Sequence, residues 1–374
     1  MDASGSCQRG ADGGRNRPHA AGRESDCGRV GKADARARAE GAGLGLGREY
    51  RAYAKINLAL EVLGRRADGY HEVRSVLQAV AWHDSLFAEP APELSFSVEG
   101  EEGAVLTELA TADNLVLKAA RALQSQARIA RGASLRLHKR IPVAAGLGGG
   151  SSDAAATLWA LNDLWGLRWT LEKLAALAAT LGADVPFFLT SGAALVSGRG
   201  EKVEPLPTLA ALPVLLVVPR INLPSKTRWA YSLLAPHLWS SGAMTLDLAA
   251  QLRAHQADLA GRHWRNAFEP VIVSHLASVQ RCRQAMWRAG VKGVNLSGAG
   301  PTLFALLANE AEAAASASHL QKELHEEANV LLTSTVGPPA SPIVEPPGSL
   351  GQPARWHHYA QPGDTPRARA TECG

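Results

Sequence analysis

The sequence predicts an α+β fold arranged in two lobes. Three observations carry that expectation: strand-like and helix-like apolar periods intermix in irregular order, no internal repeat is found, and a glycine-rich loop stands between a strand pattern and an alanine-rich helix pattern. With 374 residues, 46% of them hydrophobic and 20% charged, the chain is long enough for two lobes with a cleft between them.

The ends of the chain read differently from its middle. Residues 1–48 are rich in Gly, Ala and Arg, and residues 336–374 form a Pro-rich, patternless run that opens Val336-Gly337-Pro338-Pro339. Neither segment has enough large apolar residues to offset its ordering entropy, so both are expected to be disordered. The core from Glu49 to Thr335 is expected to divide into an N-terminal nucleotide-binding lobe, 49–210, and a C-terminal lobe, 211–335.

Charge and cysteine usage exclude several function classes. Residues 1–48 hold nine Lys and Arg against six Asp and Glu, so most of the net charge of +4 sits in that tail. The rest is near neutral, and nucleic acid is not an expected partner. No run approaches the roughly 20 apolar residues of a membrane helix, the longest candidate being Pro213 to Pro219. No membrane association is expected. The N-terminus lacks the apolar stretch of a secretory signal and carries acidic residues that argue against an organellar transit peptide, so the cytoplasm is the expected location. Cys7, Cys27, Cys282 and Cys373 have no short metal-type spacing, and neither a disulfide framework nor a zinc site is expected.

Taken in order, the core elements begin with a strand. Ala54, Ile56, Leu58, Leu60 and Val62 occupy every second place, the period of a half-buried strand, and Lys55 and Asn57 share its opposite face. Asn114 to Gln126 reads as a helix, with Val116, Ala120 and Leu123 at helical spacing. Ser134 to Arg140 alternates as a strand. After the glycine loop, two amphipathic helices follow, marked by Ala154, Leu158, Leu161 and Trp165, then by Leu171, Leu174, Leu177 and Leu181. Strand patterns at Ala193–Ser197 and Val214–Val218 precede a mostly helical region to Arg288. A strand, a second glycine loop and a strand close the core between Val291 and Leu307.

The loop Pro142-Val143-Ala144-Ala145-Gly146-Leu147-Gly148-Gly149-Gly150-Ser151-Ser152-Asp153 carries most of the chemistry. Phosphate oxygens need close approach of main-chain N–H groups, which glycine permits because it has no Cβ. The helix that follows adds orphan N–H groups and the positive end of its dipole. Ser151 and Ser152 add hydroxyls able to bond a phosphate or a magnesium-bound water, while Ser152 or Asp153 as a simple helix cap is the competing reading. The loop does not end in Gly-Lys-Ser/Thr, and Ser151 stands where a dinucleotide fingerprint has its third glycine. A phosphate cradle without its own lysine draws positive charge from elsewhere, and Lys55 and a magnesium ion are the candidates.

The loop resembles the second motif of the GHMP kinases, which holds nucleotide phosphates. Gly293-Val294-Asn295-Leu296-Ser297-Gly298-Ala299-Gly300-Pro301-Thr302 resembles their third motif, a glycine loop that folds against the nucleotide site. Ala54-Lys55-Ile56-Asn57-Leu58-Ala59-Leu60, Asp68-Gly69-Tyr70-His71-Glu72 and Leu181-Gly182-Ala183-Asp184-Val185-Pro186-Phe187-Phe188 are similar to the branch of that family acting on a cytidine diphosphate-linked tetrol. Similarity covers about residues 52 to 330 and neither tail.

The resemblance implies a two-lobe GHMP kinase fold, its N-terminal lobe like domain 2 of ribosomal protein S5 and its C-terminal lobe α+β. It also implies ATP as phosphoryl donor, Mg2+ as cofactor, and a step in the non-mevalonate route to isoprenoid precursors, catalysed by a monomer or homodimer. An alcohol attacking a γ-phosphate must lose its proton, so Asp184 is the expected base. Lys55 is the expected cation for the charge that develops on the phosphoryl oxygens. Asn57, Tyr70 and His71 are expected on the acceptor substrate, Tyr70 stacking on the base and His71 bonding its edge. Trp229 is expected as a second aromatic wall, with plain core packing as its competing reading. Asn114, in Asp113-Asn114-Leu115, is expected near adenine, where a helix-cap role competes. Two alternatives stay open: another GHMP kinase such as homoserine kinase, and a nucleotide-binding sensor without activity.

Overall fold

The computed structural model describes residues 48–100, 113–190, 192–207, 211–221 and 226–337. The tails expected from the sequence lie outside the described residues except at their inner edges. Arg48 already begins the first strand, and Val336 still donates its N–H to Ala79 O at 3.0 Å.

Six strands form the first sheet. A long hairpin is its spine: β1 (Arg48–Arg65) pairs antiparallel with β2 (His71–Ala91). The rest of the sheet runs β3 (Leu94–Gly100), β4 (Gly132–Lys139), β2, β5 (Ala193–Gly198), β6 (Lys202–Leu206). Only β3 and β4 are parallel neighbours. Four helices cover one face: α1 (Leu115–Ala127), α2 (Gly149–Leu164), α3 (Leu171–Leu181) and α4 (Val185–Thr190). Their apolar stripes, including Val116, Leu123, Leu158, Leu161 and Leu174, meet Leu77, Leu86, Leu135 and Leu137 of the sheet in one buried cluster. Side-chain caps start two of these helices where the sequence places Asn and Thr. Asn114 Oδ1 accepts from Val116 N at 2.8 Å, and Thr170 Oγ1 from Lys173 N at 3.4 Å.

A second, four-stranded antiparallel sheet has the order β10 (Ala328–Ser334), β7 (Pro213–Pro219), β9 (Leu303–Leu306), β8 (Asn295–Leu296). Around it lie α5 (Lys226–Ser232), α6 (Ala243–Arg253), α7 (Glu269–His275), α8 (Ala277–Arg288) and α9 (Glu310–Glu323). Ile272, Val279, Met286, Ala317 and Leu320 pack on one side of this sheet. From its other side, Val214, Leu216, Val218 and Phe304 join Ala54, Ile56 and Leu58 of β1.

That junction corrects the reading of β1 as half-buried. Every residue from Ala54 to Val62 is buried, including Lys55 and Asn57 at 4% exposure each. One face meets the second sheet, and the other meets the glycine loops. Register shifts between Tyr53 and Ala54, Asn57 and Ala59, and Val62 and Gly64 redirect the strand along its length. The structure thereby delivers a lysine and an asparagine from mid-strand into a dry environment. Among the described residues, no helix is long and apolar enough to cross a membrane.

Candidate active site

The two glycine loops are in direct main-chain contact. A Cβ placed on Gly146 would lie 2.4 Å from Ser297 O and 2.5 Å from Gly300 O, a separation that only glycine allows. Ser297 Oγ donates to Gly146 O at 3.0 Å, and Thr302 N donates to Ala145 O at 3.3 Å. Buried Ala145 and Leu147 anchor the first loop, while Pro142 is half-buried and Val143 and Ala144 are exposed.

Gly148, at φ +73°, caps α2 and has no side chain to satisfy the helix amides. The first intrahelical bond runs from Ser152 N to Gly148 O at 2.9 Å. The N–H groups of Gly149, Gly150 and Ser151 are therefore left for an anion, with the helix dipole behind them. Gly150 is exposed and Ser151 half-buried, so this end of α2 is open to a ligand; Ser152 is buried. Asn114 stands close by: Leu115, next to it at the start of α1, comes within 3.7 Å of a Cβ built on Gly150.

Lys55 reaches the same loop from β1. Its Nζ donates to Gly146 O at 2.8 Å and to Asn57 Oδ1 at 2.6 Å. Asn57 is held in turn by Nδ2 donating to Ser75 Oγ at 2.8 Å, and Ser75 Oγ donates to Ala59 O at 2.6 Å. Burial lowers the Lys55 pKa from its ordinary value, and the Asp184 charge opposes that shift. Asp184 therefore lies within electrostatic reach of the ammonium, although the two form no direct ion pair. The half-buried Asp184 sits in the turn before α4, whose Phe188 comes within 2.7 Å of a Cβ built on Gly148. Lysine, carboxylate and helix amides thus converge from positions far apart in the sequence.

A buried charge cluster beneath the loop escapes sequence reading. Lys139 Nζ contacts Asp84 Oδ2 and donates to Asp153 Oδ2 at 3.0 Å. Asp84 Oδ1 also accepts from Arg140 N and from Ile141 N at 2.8 Å, fixing the chain as it leaves β4. Asp153 has no such extra donors, and its buried Oδ1 meets no partner. Burial pushes the Asp153 carboxyl up to about 8, against the pull of Lys139 and with a further push from Asp84. Burial by itself disfavours the Lys139 ammonium, but the two carboxylates outweigh it and raise the lysine.

Lys226, also absent from the sequence prediction, ties the two loops together. Its buried Nζ donates to Ala144 O at 2.5 Å and to Gly300 O. Burial, helped by the charge of Lys55, lowers its pKa to about 7. A neutral amine still has two N–H groups for these two carbonyls.

Tyr70 and His71, two of the residues expected on the acceptor substrate, stand at the start of β2. Tyr70 is 57% exposed. His71 is lowered by burial and by the charge of Arg65, so at neutral pH its ring offers one donor and one acceptor. The ring of His71 stacks on Tyr231 with centroids 4.9 Å apart. Burial and the nearby Asp184 charge both push the Tyr231 phenol upward, which places that ring near the carboxylate as well. Trp229 lies edge-on to His275 at 6.1 Å, and both rings pack against the core of the second sheet, Tyr231 edge-on to Phe268 at 4.8 Å. Of the two aromatics on α5, Tyr231 is the one that reaches His71.

Comparison with known proteins shows the family. Residues 114–192 match the GHMP kinases N terminal domain, and residues 248–326 match the GHMP kinases C terminal domain. Curated relatives named 4-diphosphocytidyl-2-C-methyl-D-erythritol kinase include one from Synechococcus sp. (strain JA-3-3Ab), 42% identical over 70% of this chain and 86% of the relative. Another, from Symbiobacterium thermophilum, is 43% identical over 69% of this chain and 90% of the relative. A crystal structure of 4-(cytidine 5'-diphospho)-2C-methyl-D-erythritol kinase superimposes with a TM-score of 0.64 at 31% identity, covering 77% of this chain and 99% of the other. A homoserine kinase from Cytophaga hutchinsonii, at 20% identity and a TM-score of 0.62 over 78% of this chain and 95% of the other, shares the fold.

Proposed function

Since this chain belongs to the GHMP kinase family, we propose that it transfers the γ-phosphoryl group of ATP to the 2-hydroxyl of 4-diphosphocytidyl-2-C-methyl-D-erythritol, a step in the non-mevalonate route to isoprenoid precursors. The observation that carries the reading is the convergence of Lys55 and Asp184 beside the amide-lined start of α2. Relatives about 40% identical that bear this enzyme's name support the choice of acceptor.

In this reading the N–H groups of Gly149, Gly150 and Ser151 hold the nucleotide phosphates, and Lys55 stabilises charge on the oxygens of the transferring group. The acceptor hydroxyl lies between Asp184 and the γ-phosphorus. Asp184 takes its proton as the new oxygen–phosphorus bond forms, while the bond to the bridging oxygen of ADP breaks and ADP leaves. Asn57 fixes the Lys55 head through its carboxamide oxygen. Cytosine has a flat face and a polar edge, and Tyr70, His71 and Tyr231 supply an aromatic surface with a donor and an acceptor for them.

The site fits Mg2+ bound mainly through nucleotide oxygens and water. Among the described residues there is no group of three or more His, Cys, Asp or Glu placed to hold a metal ion, and the Ser151 hydroxyl is a hard oxygen donor at the phosphate end of α2. Bound there, the ion would neutralise charge on the β- and γ-phosphates.

The reading is tested by incubating the protein with ATP and the cytidylyl tetrol, and following ADP release with mass spectrometry of the product. A singly phosphorylated cytidylyl tetrol is the expected product. Absence of transfer, or a preference for homoserine in a parallel assay, overturns the reading.

A further inference from the structure

We propose that Arg199 is a specificity-determining residue whose guanidinium binds the diphosphate of the acceptor substrate. The inference rests on the acceptor assigned above. Arg199 lies in the turn between β5 and β6, flanked by Gly198 and Gly200 at φ +76° and +120°. Its guanidinium carbon stands 5.0 Å from the centroid of the exposed Tyr70 ring, within cation–π range. One residue further on, a Cβ built on Gly200 would lie 3.7 Å from Asp184 Oδ1. Two adjacent residues, about 3.8 Å apart at their Cα atoms, therefore border the base aromatic on one side and the catalytic carboxylate on the other.

A substrate with its cytosine at Tyr70 and its tetrol hydroxyl at Asp184 must pass its diphosphate along this turn. Arg199 is the cation that lies over Tyr70 there. The neighbouring arginine is otherwise engaged: Arg66 pairs with Asp68 at 3.2 Å and contacts Glu72. Glu72 also accepts from Gly198 N at 3.1 Å, which fixes the base of the turn. Arg199 has a looser partner, with its Nε 3.9 Å from Glu201 Oε2, while that carboxylate is taken by Arg199 N at 2.7 Å. A planar guanidinium laid on an aromatic ring is pre-oriented for a bidentate bond to phosphate oxygens. The side chain is 39% exposed, so its removal leaves no cavity in the core.

The test compares the parent with Arg199→Gln and Arg199→Lys in steady-state assays at saturating ATP, with CDP and cytidine as competing inhibitors. The expected result for Arg199→Gln is a KM for the cytidylyl tetrol about 10- to 100-fold higher, the range for loss of a hydrogen bond to a charged group. Its kcat and KM for ATP should stay within about threefold of the parent, and inhibition by CDP should weaken by the same factor as KM. Inhibition by cytidine, which has no phosphate, should not change, and Arg199→Lys should recover part of the loss. An unchanged KM, or equal weakening of CDP and cytidine, overturns the proposal, the second outcome marking a contact to the base instead. If the parent itself does not turn over the cytidylyl tetrol, the acceptor assignment fails and this inference fails with it.

Discussion

Asp153→Asn tests the charge arrangement under the phosphate loop. Asp153 is 3% exposed, its one donor is Lys139 Nζ at 3.0 Å, and its Oδ1 has no partner. Its carboxyl is pushed by burial from 3.8 up to about 8. A carboxyl raised on folding contributes stability that is fully present below the unfolded pKa and is lost as pH rises through the folded one. The loss therefore runs from about pH 4 to about pH 8. At about 1.4 kcal/mol per unit, the whole window has an upper bound of roughly 6 kcal/mol, and relaxation around a buried charge brings the expected figure to about 2–4 kcal/mol. Asparagine has the same shape and no titration. Its oxygen still faces Lys139, but its NH2 then occupies the position without a partner, at a cost of about 1–3 kcal/mol. Near pH 5 the variant should be as stable as the parent or slightly less, and by pH 8.5 it should be the more stable of the two. Urea unfolding at one-unit intervals from pH 5 to pH 9, with slopes shown to be equal, measures the difference. Parallel stability curves, or a parent that gains on the variant as pH rises, would refute the argument that Asp153 holds a proton.

Asp184→Asn should lower kcat by roughly 10² to 10⁴ while ATP affinity, read by titration calorimetry, stays near that of the parent; near-normal turnover removes Asp184 as the base. Lys226 is depressed from 10.5 to about 7, so the folded state sheds a proton that the unfolded chain keeps, and parent stability should rise between about pH 7 and pH 10. Against Lys226→Met, which cannot titrate, the parent should gain about 2 kcal/mol between pH 7 and pH 9, and a constant difference over that window would show that Lys226 is not depressed. Gly298→Ala sets a Cβ 3.1 Å from Lys55 Nζ and 3.2 Å from Gly146 O at φ +57°. Strain of about 1–2 kcal/mol should appear in unfolding, and kcat should fall at least about tenfold as the lysine is displaced; wild-type kcat would mean that the second loop does not position Lys55.

How much of this was legible in the sequence depended on whether the signal was local. The phosphate loop could be read because glycines, a helix start and two serines sit within a dozen residues, and the structure turns them into an uncapped row of amides before α2. Lys55 and Asn57 could be placed on one face of β1 from a period of two, and they do share a hydrogen bond. Their burial could not be read, because it depends on the two glycine loops: Gly146 O accepts from Lys55 Nζ, Gly148 lies against the Lys55 side chain, and Gly298 lies against Lys55 Nζ and Asn57 Oδ1. β2 left no alternating signature, since Val76, Leu77, Gln78, Ala79 and Val80 are buried in succession and both faces are covered. The cluster of Asp84, Lys139 and Asp153 is a product of sheet register, with Ser85 opposite His138, and no spacing rule joins those three positions.

The aromatic on α5 shows most clearly where sequence reasoning runs out. Trp229 and Tyr231 are two residues apart, and it is the family resemblance, not a local pattern, that points to Trp229. On a helix, two residues apart means about 200° of rotation, so one ring faces the site only if the other faces away. The buried Lys226, bonded to both glycine loops, fixes the rotation of this short helix. With Lys226 pinned there, Tyr231 turns to His71 and toward the Asp184 charge, while Trp229 turns to His275. The anchor is a single lysine whose partners are main-chain carbonyls 82 and 74 positions away, and nothing in the local pattern announces it. The direction in which each ring points is thus set by a contact between distant loops.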